Sequence, residues 1–585
     1  MANKKQITFE NFSYLIIFGL ALLVRLLMLG KAPLGEFEAT WAYQAWELAQ
    51  GQTSHVGLQA SYLTLTEGLF SLFTSSNALA RFWPAVIGSF IVCFPFFFRA
   101  KLGQKAALVM ALGLALDPGL VAVSRLAGGP ILALVFSLLA MGFYYLKKPV
   151  WAMIFGGLAL FAGPALWMGA LGLALTFGVS HLAGAFEWST HIRAWFSTSP
   201  SGSAGKRSFP WGFALALGVV TMQGTLFLQH YQGLSAWLDA LPAYAAGWVH
   251  PSGVHAVRLL AALLVYQPLA LIFGLIAAGR AWVTGEKTAR FLSIWFVSAL
   301  ALGLLYPGRQ VYDLIWALVP LWALAAMELI RGLETVKSFL VTRIHAASIF
   351  VLFALTWLSF VTLVTTGVGD DKWWLRWVVM GATLLLIGLA TSIVHAGWSW
   401  PVAKKGLVVG VCAAFGTYLL AAMVGAAYLR PANPQELWHP GSGGVQMELL
   451  QESLGEFGLL TTGRQDNLDF IIIGDSEVLR WGLRQYPNSH FREAMPAQTR
   501  PAFVLSPLTE IAQPWTTSYN GQDFVLETSS AWAGNIDFNW MKWLAFRDAP
   551  LDQEKVVLWV RHDAFPGVET SDTPPASSEE GVIEE

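Results

Sequence analysis

The chain has 585 residues, of which 55% are hydrophobic and only 12% charged, and its net charge is −1. A soluble domain carries about 25% charged residues. That deficit, with a mean hydropathy of +0.53, excludes an ordinary soluble protein, and the near-neutral balance gives no sign of nucleic-acid binding. The two cysteines, Cys93 and Cys412, lie in separate apolar runs, which argues against a disulfide framework or a zinc site.

Roughly 20 apolar residues cross a bilayer. By that measure about thirteen spans lie near 12–30, 80–98, 105–123, 130–146, 150–164, 166–185, 211–229, 257–279, 290–306, 311–329, 345–366, 374–394 and 406–429. The first apolar run, Phe12 to Leu29, is long for a signal-peptide core and no small-x-small cleavage site follows it, so it reads as a retained helix. The fifth and sixth form one apolar stretch broken at Gly163-Pro164, which predicts a tight hairpin. Alternating the loops puts 18 Lys and Arg on the N-terminal side and 9 on the other. The positive-inside rule then predicts a cytoplasmic N-terminus in a multi-pass inner-membrane protein. An odd number of spans places the C-terminal domain outside.

Three outer loops stand out, 31–79, 230–256 and the region around 367–373. In the first, Thr40 to Ala49 reads as an interfacial helix with Trp41, Ala45 and Leu48 toward lipid or protein. The inner loop 186–210 is rich in Ser, Gly and basic residues and reads as mobile. Residues 1–430 thus form a transmembrane domain. From about 431 to 568 the composition turns polar. Phe470 to Gly474, Ala502 to Leu505 and Val556 to Val560 read as strands, with helices after Gly474 through Arg484 and over Asn539 to Phe546. That alternation predicts a small α/β domain. Residues 569–585 read as a disordered acidic tail.

The residues able to carry chemistry cluster in the outer loops. In an extended loop Glu36 and Glu38, two apart, would face one site. One could act as general base toward a hydroxyl, or both could hold a divalent cation such as Mg or Mn; the bland alternative is a solvated acid pair. Arg125, near Asp117 at the outer end of the third span, could pair a phosphate through its planar fork, or snorkel, or pair Asp117. Arg309 and Tyr312 in the late outer loop could reach a phosphate or serve as interfacial anchors. His250, His255 and Asp239 match no strong metal motif. Arg25 reads as a helix-end snorkeller.

The run Arg25-Leu26-x-x-Leu29-Gly30-x-x-Pro33-Leu34, an acidic pair, then Ala42-x-x-Ala45-x-x-Leu48-x-x-Gly51, resembles the first outer loop of the GT-C membrane glycosyltransferases. The likeness is greatest to the family-39-like branch of protein O-mannosyltransferases and aminoarabinose transferases. Ala115 to Phe136, Arg81-Phe82-Trp83-Pro84 and Tyr306 to Ala326 are similar to later segments of that branch, and the pieces WGLRQYP, WMKWLAFRDAP and VVLWVR look like a subgroup with an outer α/β domain. The resemblance implies transfer of a sugar from a polyprenyl-phosphate donor to an extracytoplasmic protein or glycan acceptor. It implies inverting displacement, a carboxylate base (Glu36 or Glu38), and Arg125, Arg309 and Tyr312 at the lipid phosphate. Two departures stand against it: Phe37 and Pro130 occupy the positions where the branch carries aspartates. They open a second expectation, a catalytically inactive GT-C-like accessory or flippase-associated subunit of surface glycan assembly. A secondary transporter fits less well, since no internal repeat is evident.

Overall fold

A computed structural model describes residues 9–52, 56–185, 203–334, 340–366, 373–431, 433–495, 500–508, 519–530 and 539–564. Most of the inner loop 186–210, part of the outer region 367–373 and the acidic tail 569–585 lie outside the described residues. The chain divides into two compact units. The first comprises Met1–Ser442 and Ser529–Leu551, and the second Gly443–Thr528 and Asp552–Glu585.

The first unit is helical. Each of the thirteen apolar segments contains a helix, but the described residues supply only eight that are long and apolar enough to cross a membrane, or ten if each of two bent pairs is one span. The expectation of about thirteen spans is therefore not met by length. Ile131–Tyr145 and Pro149–Leu160 have 15 and 12 residues; at 1.5 Å per residue they fall short of a hydrocarbon core of about 30 Å. The chain is a multi-pass membrane protein all the same. Its inmost span, Val311–Leu333, is almost wholly buried.

The break at Gly163-Pro164 is present, with Gly163 at φ +95°. The helices it joins part company, however. Pro149–Leu160 packs mainly on Ile131–Tyr145 and Ser203–Gly224, and Ala165–Leu182 on Lys287–Leu305. No tight hairpin forms.

Proline makes both bent pairs. Gln104–Leu116 and Pro118–Ser124 meet at 54°, and Ala256–Tyr266 and Pro268–Thr284 at 95°. Proline has no N–H to continue the ladder and disfavours helical geometry in the residue before it. Asp117, before Pro118, instead caps the new helix by accepting from Leu120 N at 3.0 Å. The two breaks touch: Gln267 Nε2 donates to Asp117 Oδ1 at 3.3 Å, and Trp322 Nε1 donates to Asp117 Oδ2 at 2.8 Å. Asp117 thus satisfies a helix end and two side chains, and it does not pair with Arg125.

In the second unit six strands form one sheet: β1 (Ser442–Gly443), β2 (Phe470–Ile473), β3 (Ser489–Arg492), β4 (Phe503–Pro507), β5 (Tyr519–Ser530) and β6 (Leu551–Arg561), in the order β1-β5-β6-β4-β2-β3. β2 runs parallel to β3 and β4, and β4 antiparallel to β6, with Val504 opposite Trp559. Ile473, Val504, Tyr519, Val557 and Trp559 form its core. The mixed sheet, with the helix Met447–Thr462 stacking Phe457 on Phe503, is the α/β architecture the strand pattern predicts. The helix Trp540–Phe546 belongs to the first unit instead.

Candidate functional site

The segment that follows the first span is built around two guanidinium groups. α1 (Phe9–Leu26) ends at Leu26, and the chain then turns through Met28 at φ 51° toward α2 (Glu36–Ala49). The last carbonyls of a helix have no partner within it. Arg125 supplies one: Nη1 donates to the carbonyls of Val24, Arg25 and Leu27 at 3.4, 2.9 and 2.7 Å, and Nη2 to Met28 at 3.2 Å. Its guanidinium also lies 4.8 Å from the Tyr428 ring centre. Arg25 is no snorkeller. It is wholly buried and donates to Leu114 O and Ala115 O at 3.2 and 3.0 Å. Leu114 O is the carbonyl that Pro118, lacking an N–H, cannot satisfy.

The second guanidinium belongs to Arg81 in α4 (Asn77–Ser89), which is 3% exposed. Its five N–H groups meet five acceptors. Nη1 donates to Leu29 O and Ala32 O at 3.3 and 2.7 Å and Nη2 to Pro33 O at 2.9 Å, while Nε and Nη2 grip Glu38 Oε1 and Oε2 at 2.7 and 2.6 Å. Glu38 Oε1 also accepts from Ala127 N at 2.8 Å. Glu38 thereby joins α2, α4 and the loop before Ile131. Burial works to raise its pKa, but the Arg81 charge and hydrogen bonds, His439 and the Ala127 N–H outweigh it and hold the carboxyl below its ordinary value.

The acidic pair does not sit in an extended loop. Both residues lie in the first turn of α2, where neighbours two apart point to different faces. Glu38 is fully buried and Glu36 exposed. With both Glu38 oxygens engaged, the pair does not form a two-carboxylate cation site. Among the described residues no three His, Cys, Asp or Glu converge as metal ligands, His250 and His255 included. Phe37, between the two acids, lies 5.8 Å from the Tyr312 ring centre.

Tyr312 belongs to the short helix Val311–Leu314, closed by a capping box in which Asp313 accepts from Gln310 N at 2.8 Å. Arg309 Nε donates to Tyr306 O at 2.8 Å and Nη1 to Val254 O at 3.0 Å. The structure therefore brings Phe37 and Tyr312 together, and sets Glu38, Arg125 and Asp117 among separate partners.

Three contributors were not among the side chains singled out for chemistry, although Arg81 and the turn at Pro130 lie in segments the sequence marks. Arg81 was legible as a lone cation in an apolar helix. The Ala127-Gly128-Gly129-Pro130 turn was legible as a breaker run, with both glycines at positive φ, +78° and +83°. His439 had no signal. It arrives on the stretch after the last span, anchored where Glu436 accepts from Arg430 Nε at 2.6 Å and from the Tyr266 hydroxyl. Trp438 packs over Gly119, where a Cβ would lie 2.4 Å from the ring. His439, Arg81 and Arg125 share a narrow cleft with Met28, Leu29, Ala32, Ala122, Leu126, Ala426, Ala427 and Pro431, with a cavity volume of only about 20 Å³. Its chemistry is cationic at one wall and apolar elsewhere.

The polytopic helical unit with the small α/β unit shares its fold with solved GT-C glycosyltransferases. The chain aligns with ArnT from Cupriavidus metallidurans in the apo state at a TM-score of 0.53 and 14% identity, covering 94% of this chain and 98% of that one. It aligns with ArnT bound to undecaprenyl phosphate at 0.50 and 13%, covering 94% and 97%. The oligosaccharyltransferase AglB from Archaeoglobus fulgidus, in complex with an inhibitory peptide and a dolichol-phosphate, aligns at 0.45 and 13% over 92% and 76%, too low a score to add weight. No protein-family model and no curated protein matches the sequence. The likeness is one of fold.

Proposed function

We propose that this protein is a membrane glycosyltransferase that moves a sugar from a polyprenyl-phosphate donor to an extracytoplasmic acceptor. The observation that carries the reading is the cleft of Arg81, Arg125 and His439 with its apolar walls, in a chain that shares the fold of a protein crystallised with undecaprenyl phosphate. In this reading the lipid phosphate lies against the cleft's cations and the chain along its apolar wall. Glu36, exposed at the start of α2, is the general base that takes the acceptor's proton. Glu38 organises the site through Arg81, because a carboxylate held below its ordinary pKa by a bidentate arginine is a weak base. Tyr312 and Arg309 line the approach beyond Phe37.

One observation favours the accessory-subunit reading: the two carboxylates do not converge. Sugar release from a panel of polyprenyl-phosphate sugars separates the two. Release by wild type and none by Glu36→Gln supports the enzyme. Donor binding with no release by either supports the accessory subunit.

A further inference from the structure

We propose that His439 is a direct phosphate contact of this cleft, whose Nε2 takes up a proton when a phosphate monoester binds and donates it to a phosphate oxygen. The proposal rests on the reading of the cleft as a phosphate site and adds the residue that couples binding to a proton.

His439 Nδ1 bonds the backbone carbonyl of Gly441. A carbonyl only accepts, so Nδ1 carries the hydrogen and a neutral ring leaves its lone pair on Nε2. Burial favours that neutral ring, although Glu38 pulls the other way. The ring's orientation is not accidental, since the same backbone stretch is pinned by Glu436 between Arg430 and Tyr266.

The neighbours decide what Nε2 can do. Arg81, from α4, has no N–H to spare. Glu38, from α2, neutralises it. Arg125 spends Nη1 and part of Nη2 on carbonyls at and just beyond the end of α1. Glu436, on the same stretch as His439, is neutralised by Arg430. The cleft therefore holds only one formal positive charge not already balanced by a carboxylate, on Arg125. A phosphate monoester, the form in which the carrier lipid is left once its sugar is transferred, brings about −1.5 to −2. The shortfall falls on the one group at the wall that can gain a proton without losing a partner. An anion next to an imidazole favours its charged form, and Nε2–H then donates a charge-assisted bond to phosphate. The proton leaves a solvent or buffer acid and forms the Nε2–H bond, and no bond of the phosphate ester forms or breaks.

The test is calorimetric binding of undecaprenyl phosphate to the purified full chain, in buffers of different ionisation enthalpy, between about pH 5.5 and 8.5. Undecaprenol and inorganic phosphate are run alongside. His439→Asn keeps a donor for Gly441 O but removes Nε2; His439→Gln places a non-titrating amide near Nε2. Wild type is expected to take up nearly one proton more than either variant, and to lose up to about tenfold in affinity per pH unit relative to His439→Gln between the free ring's pKa and the bound ring's. His439→Asn is expected to bind weakly at every pH. Equal proton uptake by wild type and both variants overturns the role of His439 while leaving the lipid-phosphate reading intact. Binding of undecaprenol as tight as undecaprenyl phosphate overturns both. If inorganic phosphate alone produces the His439-dependent uptake and the lipid does not bind, the residue's role stands and the lipid-donor reading fails.

Discussion

Arg125 donates to the backbone carbonyl of Arg25 at 2.9 Å, while the Arg25 side chain donates to Ser124 Oγ, next to Arg125, at 3.1 Å. Arg125 closes the end of the helix that carries Arg25, and Arg25 closes the end of Gln104–Leu116 through the Leu114 and Ala115 carbonyls. A residue that reads as a phosphate ligand therefore has a structural task of its own. Arg125→Lys keeps the charge but loses the fork. It is expected to leave at least one helix-end carbonyl unpaired and lower stability by about 1–3 kcal/mol. Thermal unfolding in detergent reads this directly; an unchanged Tm would mean that α1 does not depend on Arg125.

Glu38→Gln removes half of a buried ion pair. The loss of one partner leaves Arg81 uncompensated, at a cost of about 3–5 kcal/mol at neutral pH. The pH dependence has a definite sign. Because the folded-state pKa of Glu38 is depressed, its contribution is present above the unfolded value of about 4.3. It fades as pH falls through the lower folded value. Wild type should lose stability on acidification, and the slope should flatten in Glu38→Gln. Parallel slopes would remove Glu38 as the acid-sensitive group.

Glu67 shows the opposite case. It lies in the helix Ala60–Leu72, is 3% exposed, and its Oε2 is buried with no hydrogen-bond partner. Burial pushes its pKa up to about 7. A raised carboxyl pKa costs nothing below the unfolded value of about 4.3 and costs most above the folded one. Glu67→Met should therefore raise the Tm at about pH 8 and change it little at about pH 4. A Tm increase of the same size at both would show that packing, not ionisation, is responsible.

Gly128→Ala tests the turn that presents the Ala127 N–H to Glu38. Its φ is +78°, and an added Cβ would lie 2.8 Å from Trp41 Cδ1. The left-handed geometry alone costs about 1–2 kcal/mol. Because Ala127 is the neighbouring residue, a double-mutant cycle with Glu38→Gln should show coupling beyond about 0.5 kcal/mol. Simple additivity would mean the turn and the carboxylate are independent.

Much of the helical unit was legible because crossing a bilayer is a local property: enough apolar residues in a row announce themselves. All thirteen apolar segments contain helix, and the broken ones carry their proline in plain sight. The strands β2, β4 and β6 were legible for the same reason, as short continuous apolar runs. β3, with the sequence SHFR, and β5, beginning YNGQDF, were not. Polar residues on their outer faces leave no pattern apart from loop.

The sequence by itself determined that this is a polytopic membrane protein with a polar α/β unit, and which residues carry charge near the outer loops. Only the tertiary structure decided what those charges do. Glu38 finds Arg81 across 43 residues, Arg125 finds the end of α1 across 100, and His439 reaches the same cleft from beyond the last span. Spacing along the chain carries no trace of these meetings. Buried charges and unpaired helix ends are costly, and the fold settles them with whatever partner comes within hydrogen-bond reach.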